Sequence, residues 1–121
     1  MKGVFWNSRG LADLAKHRYL SEMVKEEQIN LIALSKIGRD DFSDATHKNF
    51  CGGRDFIWHS MAPHDRSGGI LVGADLNYFD IGAIDEGDFY VKFILEISLM
   101  ASSLHFMLSM DRHNITIKKS F

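Results

Sequence analysis

The sequence predicts a mixed α/β fold that grows richer in strand toward its C-terminal end. Two observations carry this. Near the start, an apolar run (Val4 to Trp6), an amphipathic stretch and a second apolar run (Leu31 to Leu34) follow one another as strand, helix and strand. Further on, short β-branched and aromatic runs alternate with turn-forming clusters, the pattern of antiparallel strands.

Val4, Phe5 and Trp6 form a continuous apolar run and read as a buried strand, closed by the loop-forming Asn7-Ser8-Arg9-Gly10. From Leu11 to Glu27 the spacing is helical. Leu11, Ala15, Tyr19 and Met23 recur every four residues, and Leu20 with Val24 widens the stripe. Leu31 to Leu34 is the second strand. Ser35 to Gly53 is polar, with a short helix expected between Asp41 and Phe50. Phe56 to Trp58 and Ile70 to Val72 are strands, separated by a turn holding the single proline, Pro63, and Ser67-Gly68-Gly69. Phe79 to Ile84 and Phe89 to Leu95 form a hairpin with Asp85-Glu86-Gly87-Asp88 at its tip. Beyond that the pattern fails. Ile94 to Leu108 is apolar without alternation, Met100, Met107 and Met110 fall close together, and DRHNITIKKSF fits no element.

Composition bounds the function classes. A chain of 121 residues, 45% hydrophobic and 25% charged, is an ordinary small globular domain. Its formal net charge of −2 gives no global pull toward nucleic acid or an anionic membrane. The single Cys51 makes no internal disulfide, which fits a reducing, intracellular compartment. The first residues carry no signal-peptide pattern, and no apolar run is long enough to span a membrane.

Several constellations read as structural. His59 and His64 near Cys51, and His105, Asp111 and His113, have no zinc-ligand spacing. Ser67-Gly68-Gly69 precedes a strand, whereas a phosphate cradle needs a helix N-terminus, so close backbone packing explains those glycines. Asp75-Leu76-Asn77 reads as a turn between strands.

Three fragments in order carry a family likeness: VFWNSRGL from residue 4, LIALSKIGRDDF from residue 31 and RSGGILVG from residue 66. The chain resembles the endonuclease/exonuclease/phosphatase superfamily, and most of all the plant copies at the front of LINE-type retrotransposon polyproteins. The resemblance covers residues 1–93. It implies the N-terminal half of a DNase I-like α/β sandwich, followed by an out-of-pattern tail over 94–121. It also implies Mg²⁺-dependent phosphodiester hydrolysis as the intact family's chemistry.

In that family the first strand ends in Trp-Asn, and the asparagine positions metal and phosphate; that position is Asn7 here. The second strand ends in a metal-binding Glu, and the matching residue is Lys36. Mg²⁺ takes oxygen ligands, commonly one or two carboxylates. A lysine ammonium has three donors and no lone pair to give. The resemblance therefore implies a catalytically inactive domain that holds no metal and takes no small-molecule cofactor, with Asn7 kept at its position but left without a function.

Two alternatives stay open. A residual nuclease would need Asp40 or Asp41 in place of the missing Glu. A non-catalytic nucleic-acid-binding module, expected to bind weakly, would use Lys36 with Arg39, Arg54 and Arg66, which the resemblance gathers on one rim.

The tail reads as decay. Shifting the reading frame by two nucleotides, with suitable synonymous codons, lets 94–121 continue the family pattern through Tyr-Gly-Pro-Ala-Gln, and Met110-Asp111 then forces a glycine. Half a sandwich leaves one sheet with a bare inner face, and each large apolar side chain left in water forgoes about 1.5–3 kcal/mol. The expectation is marginal stability, an exposed apolar patch and self-association through that face.

Overall fold

In the computed structural model, residues 2–39, 41–63, 68–87, 90–99, 102–111 and 115–120 are described. Strand β1 (Gly3–Asn7) runs parallel to β2 (Leu31–Ser35), and helix α1 (Leu14–Glu27) makes the crossover between them. A second helix, α2 (Asp44–Phe50), leads to β3 (Phe56–Met61) and β4 (Ile70–Asp75), which pair antiparallel. The first sheet has the order β1-β2-β4-β3, with β4 antiparallel to β2. Four further strands, β5 (Asp80–Glu86), β6 (Tyr90–Leu99), β7 (Ser102–Asp111) and β8 (Ile115–Ser120), form a second sheet in chain order.

The helices start where side chains satisfy the free amides of the first turn. Asp13 accepts the Ala15 N–H at α1, and the Ser43 hydroxyl accepts the Thr46 N–H at α2. Helix α1 ends at Gln28 in the left-handed region, whose N–H returns to the Val24 carbonyl.

Alternation along the central strands explains the layering. Ile32, Leu34 and Leu71 face the helices and pack with Leu20, Val24, Ile29 and Phe50. Leu31, Ala33, Ile70, Val72 and Ala74 face the other way and pack with Met61, Phe79, Phe93 and Leu95. Strands β2 and β4, buried on both faces, accordingly read as unbroken apolar runs. Gly73 interrupts this where Trp58 lies across β4: an added Cβ would sit 2.6 Å from the indole ring.

The structure corrects several expectations. The buried face of α1 carries Leu20 and Val24, whereas Ala15 and Tyr19 are exposed, with the Tyr19 ring against Trp6. The helix begins at Leu14, so Leu11, though buried, lies ahead of it and sets no helical phase.

The hairpin tip is shorter than expected. Asp85 and Glu86 belong to β5, and Glu86 pairs with Val91.

The stretch after Ile94, unassigned from sequence, completes β6 and supplies β7 and β8, so the boundary expected at residue 93 falls inside a strand. Phe93 and Leu95 of β6 cover the inner face that was expected to be bare. On β1, Phe5 remains 41% exposed.

At the end of β4 a polar cluster joins the layers. Asp75 is buried, and its Oδ2 accepts from the Arg54 guanidinium and from Asn30 Nδ2 at 3.2 Å. Its Oδ1 accepts the Asn77 N–H at 3.0 Å, which makes Asp75-Leu76-Asn77 the expected turn. Arg54 also donates to the Ile29 carbonyl at 2.8 Å. A second polar tie crosses the sandwich: His59 of β3 and Glu86 of β5 lie 2.7 Å apart, and the His59 ring meets Phe93 edge-on.

Replacing Asp75 with alanine strands the Arg54 charge and two further donors, Asn30 Nδ2 and the Asn77 N–H. It should lower unfolding stability by about 2–4 kcal/mol, read as a shift in urea midpoint. A shift no larger than that of Asp80→Ala, on an exposed residue of β5, would refute the central role of this carboxylate.

Candidate functional site

Because β1 and β2 are parallel and in register from Gly3↔Leu31 to Asn7↔Ser35, their carboxyl ends open at one corner of the sheet. Open α/β sheets place ligands at strand carboxyl ends. Asn7 closes β1 and is exposed; Lys36 follows β2 and is also exposed. The structure thus brings together the two positions singled out from sequence.

The backbone of this corner is tightly held. The Lys36 carbonyl accepts the Gly10 N–H at 2.7 Å and the Ser8 hydroxyl at 3.2 Å. The Ile37 carbonyl accepts the Leu11 N–H at 2.9 Å, and Gly38 donates to the Gly68 carbonyl at 2.8 Å. Gly68 passes so close that an added Cβ would lie 2.8 Å from the Lys36 Cα and 3.1 Å from its Cβ, so the lysine stem rides over that glycine. Backbone contact thus accounts for Gly68, as expected from sequence.

Two non-glycine residues here occupy the left-handed region, Arg9 with φ 51° and Lys36 with φ 52°. Each costs about 1–2 kcal/mol there, so surrounding bonds must fix the conformation.

Lys16, which the sequence reading passed over, supplies part of that fixing. Its ammonium donates to the carbonyls of Ser8 (2.7 Å), Arg9 (3.2 Å) and Gly10 (2.9 Å). A signal was present: the first turn of α1 holds no acidic residue, although carboxylates are favoured there, and carries this lysine instead. Among the described residues, no carboxylate forms an ion pair with Arg9, Lys16 or Lys36.

The other expected rim residues divide. Arg39 is exposed, with its guanidinium hydrogen-bonded to Asp41 and stacked over Phe42, so its charge is already matched. That contact holds the Asp41 carboxyl below the usual carboxylate range. Arg54 corrects the single-rim expectation. It sits at the opposite end of the sheet, drawn there by buried Asp75, and its charge is taken up inside the fold. Arg66 and Asp40 lie outside the described residues.

The described corner does not fit a divalent cation. It offers one amide oxygen, on Asn7, and a lysine where a carboxylate is needed. Among the described residues no three His, Cys, Asp or Glu side chains gather to hold a metal.

A groove of about 400 Å³ lies elsewhere, between α2 and the edge strand β3, lined by Asp44, His47, Lys48, Arg54, Asp55 and Trp58 among others. His47 stacks on Trp58 with ring centroids 5.1 Å apart, and its Nε2 is buried without a hydrogen-bond partner. Burial pushes this imidazole below its ordinary value, opposed by Asp44. Cys51, also lining the groove, donates its thiol toward the carbonyls of His47, Lys48 and Arg54, and burial raises its pKa. It is a structural thiol.

Two outcomes follow. Lys36→Gly relieves the left-handed cost while adding glycine's chain entropy, so stability should rise by about 0.5 kcal/mol in urea unfolding; a loss would mean that the lysine stem itself holds the corner.

His47 takes up a proton more readily unfolded than folded. Its contribution is therefore complete above the ordinary imidazole value of about 6.5 and is lost as pH falls from there through the lowered folded value. In His47→Phe, which keeps the stack on Trp58, the acid-side drop in urea midpoint should shrink; an unchanged drop would contradict the assignment.

No family model matches this chain, and no curated protein matches it. Among solved structures it is similar to an endonuclease/exonuclease/phosphatase family protein from Leptotrichia buccalis C-1013-b, at 18% identity and a TM-score of 0.58. The match takes in 88% of this chain and 52% of that one, so the chain spans about half the length of that structure. At this identity the likeness is one of fold. Helices on one sheet and a second sheet on its other face make this chain part of a DNase I-like α/β sandwich. No described helix is long and apolar enough to cross a membrane.

Proposed function

We propose that this chain is a degenerate form of a metal-dependent DNA endonuclease domain, derived from a plant LINE-type retrotransposon and without phosphodiesterase activity. One observation carries the reading: a lysine stands at the carboxyl end of β2, beside Asn7 at the end of β1, where the resemblance calls for a metal-binding carboxylate. The likeness in fold to an endonuclease/exonuclease/phosphatase family protein supports the nuclease-type ancestry. The ordered fragments VFWNSRGL, LIALSKIGRDDF and RSGGILVG support the retrotransposon origin.

The chemistry of the loss is direct. Hydrolysis of a phosphodiester in this family draws on a divalent cation to stabilise charge at phosphorus. An ammonium at the ligand position gives the cation no lone pair and repels it, by about 1 kcal/mol per unit charge at about 4 Å even in water. Asp41 is a poor substitute ligand, because Arg39 already occupies both of its oxygens.

Calorimetric titration of Mg²⁺ and Mn²⁺ should show no binding to the native sequence and weak binding to Lys36→Glu. Supercoiled plasmid should remain intact with the native protein in excess Mg²⁺. Mg²⁺-dependent nicking by the native protein would overturn the proposal.

A further inference from the structure

We infer that β1 is a pairing edge for a second copy of this chain, the two β1 strands running antiparallel about a dyad at Phe5 so that two four-stranded sheets become one of eight strands.

An edge strand presents a row of free N–H and C=O groups, and folds blunt such rows with charge, proline or a bulge. The edges of the second sheet follow that rule: β5 carries Asp80, Asp85 and Glu86, and β8 carries Lys118 and Lys119. Strand β1, with the sequence GVFWN, has no charge and no proline, and its pairing with β2 runs unbroken from Gly3 to Asn7. The Lys2 carbonyl accepts the Leu31 N–H and the Ser8 N–H donates to the Ser35 carbonyl. By alternation Val4 and Trp6 also turn their main-chain groups toward β2, and those of Gly3, Phe5 and Asn7 point outward.

This outward row is complementary to itself. A dyad at Phe5 sets Phe5 against Phe5, Val4 against Trp6 and Gly3 against Asn7. That register overlaps the whole strand, makes hydrogen-bonded pairs of all the outward groups and brings no like charges face to face.

Both faces of the strand add apolar contact. Val4 and Trp6 pack on the helix side, so alternation places Phe5 on the other side, where it is exposed. On the helix side the Trp6 ring meets that of Tyr19, itself exposed, with centroids 5.9 Å apart. Exposed Ala15 and half-buried Met23, four residues either side, extend this stripe, which the core of its own chain leaves uncovered. Strands lie about 4.8 Å apart, so two α1 helices, each seated over a β1–β2 pair, come about 10 Å from one another, the spacing of packed helices. The dyad runs them antiparallel, with Tyr19 at the centre and small Ala15 facing long Met23.

Charge selects the same partner. Arg9 and Lys16 stand at the carboxyl end of β1, and Glu26 with Glu27 closes α1 at the other end, where Lys2 is bonded to Glu27. The dyad lays each basic end beside the other copy's acidic one. Of the exposed large apolar residues described, Phe5 and Tyr19 frame β1 and none lies on β3, the other edge of this sheet, which favours β1 on β1 over β1 on β3.

Sedimentation velocity of the whole chain over a dilution series should show a monomer–dimer equilibrium that stops at twice the chain mass. Amide hydrogen exchange should slow at Phe5 and Asn7 as concentration rises, and stay constant along β3. Phe5→Lys puts like charges face to face, and Phe5→Pro removes an outward donor without costing β1 a bond to β2; each should weaken association by about tenfold. Leu14→Gln, which removes an exposed apolar side chain on another face of α1, should associate as the native chain does. Far-UV circular dichroism checks that each variant is folded.

A single species of monomer mass at every concentration would overturn the inference, as would native association in both Phe5 variants. Growth past the dimer with slowed β3 amides would reassign the contact to open-ended β1–β3 pairing and overturn the dyad. Should the Phe5 variants fail to fold, the exchange of the native chain still decides: unslowed Phe5 and Asn7 amides in an associated sample would sink the proposal.

Discussion

The carboxylate of Asp75 is the contact on which the architecture turns. It sits where β4 leaves the first sheet and the chain bends toward the second, and it collects donors from three directions: the segment before β3, the segment before β2, and the turn that follows. A buried carboxylate is tolerable only when its lone pairs are satisfied, and here three segments are drawn to β4 to do it. The Asp75 carbonyl also accepts the Tyr78 and Phe79 N–H groups, so the turn is pinned by main chain and side chain alike. Phe79 then enters the inter-sheet core. The second sheet starts in the right place because this corner is fixed.

That arrangement divides the first sheet into two ends with different tasks. At the Asp75 end a buried carboxylate is matched by Arg54. At the Asn7 and Lys36 end, Arg9 and Lys36 are exposed and have no ion-pair partner among the described residues, on loops held by backbone bonds and by Lys16. Stability is concentrated at one end and chemical opportunity at the other, with the doubly buried β2 and β4 running between them.

How much of this is legible in the sequence depends on the range of the interaction. Strands β1 and β2, both helices, and the cores of β3 and β4 announce themselves through local apolar runs and turn chemistry. The core stripe of α1 is misread, because Leu11 and Tyr19 keep a helical spacing although one precedes the helix and the other faces water. Strands β7 and β8 are invisible locally. Their pairing is set by backbone groups needing partners, and Ile94 to Leu108 lacks the alternation that would reveal it. The Asn7 and Lys36 corner is legible since parallel strands must end side by side. The commitment of Arg54 to Asp75, 21 residues on, is a long-range choice that no spacing encodes.

The stack of His47 on Trp58 has an optical consequence. An imidazolium in contact with an indole quenches its emission by accepting an excited electron, whereas a neutral imidazole does so much less. Trp58 therefore reports the charge of its neighbour in light. The other tryptophan, Trp6, has Tyr19 as its ring partner and, among the described residues, no imidazole against it. The chain carries its own fluorescent indicator of conditions in the α2–β3 groove, readable without a label.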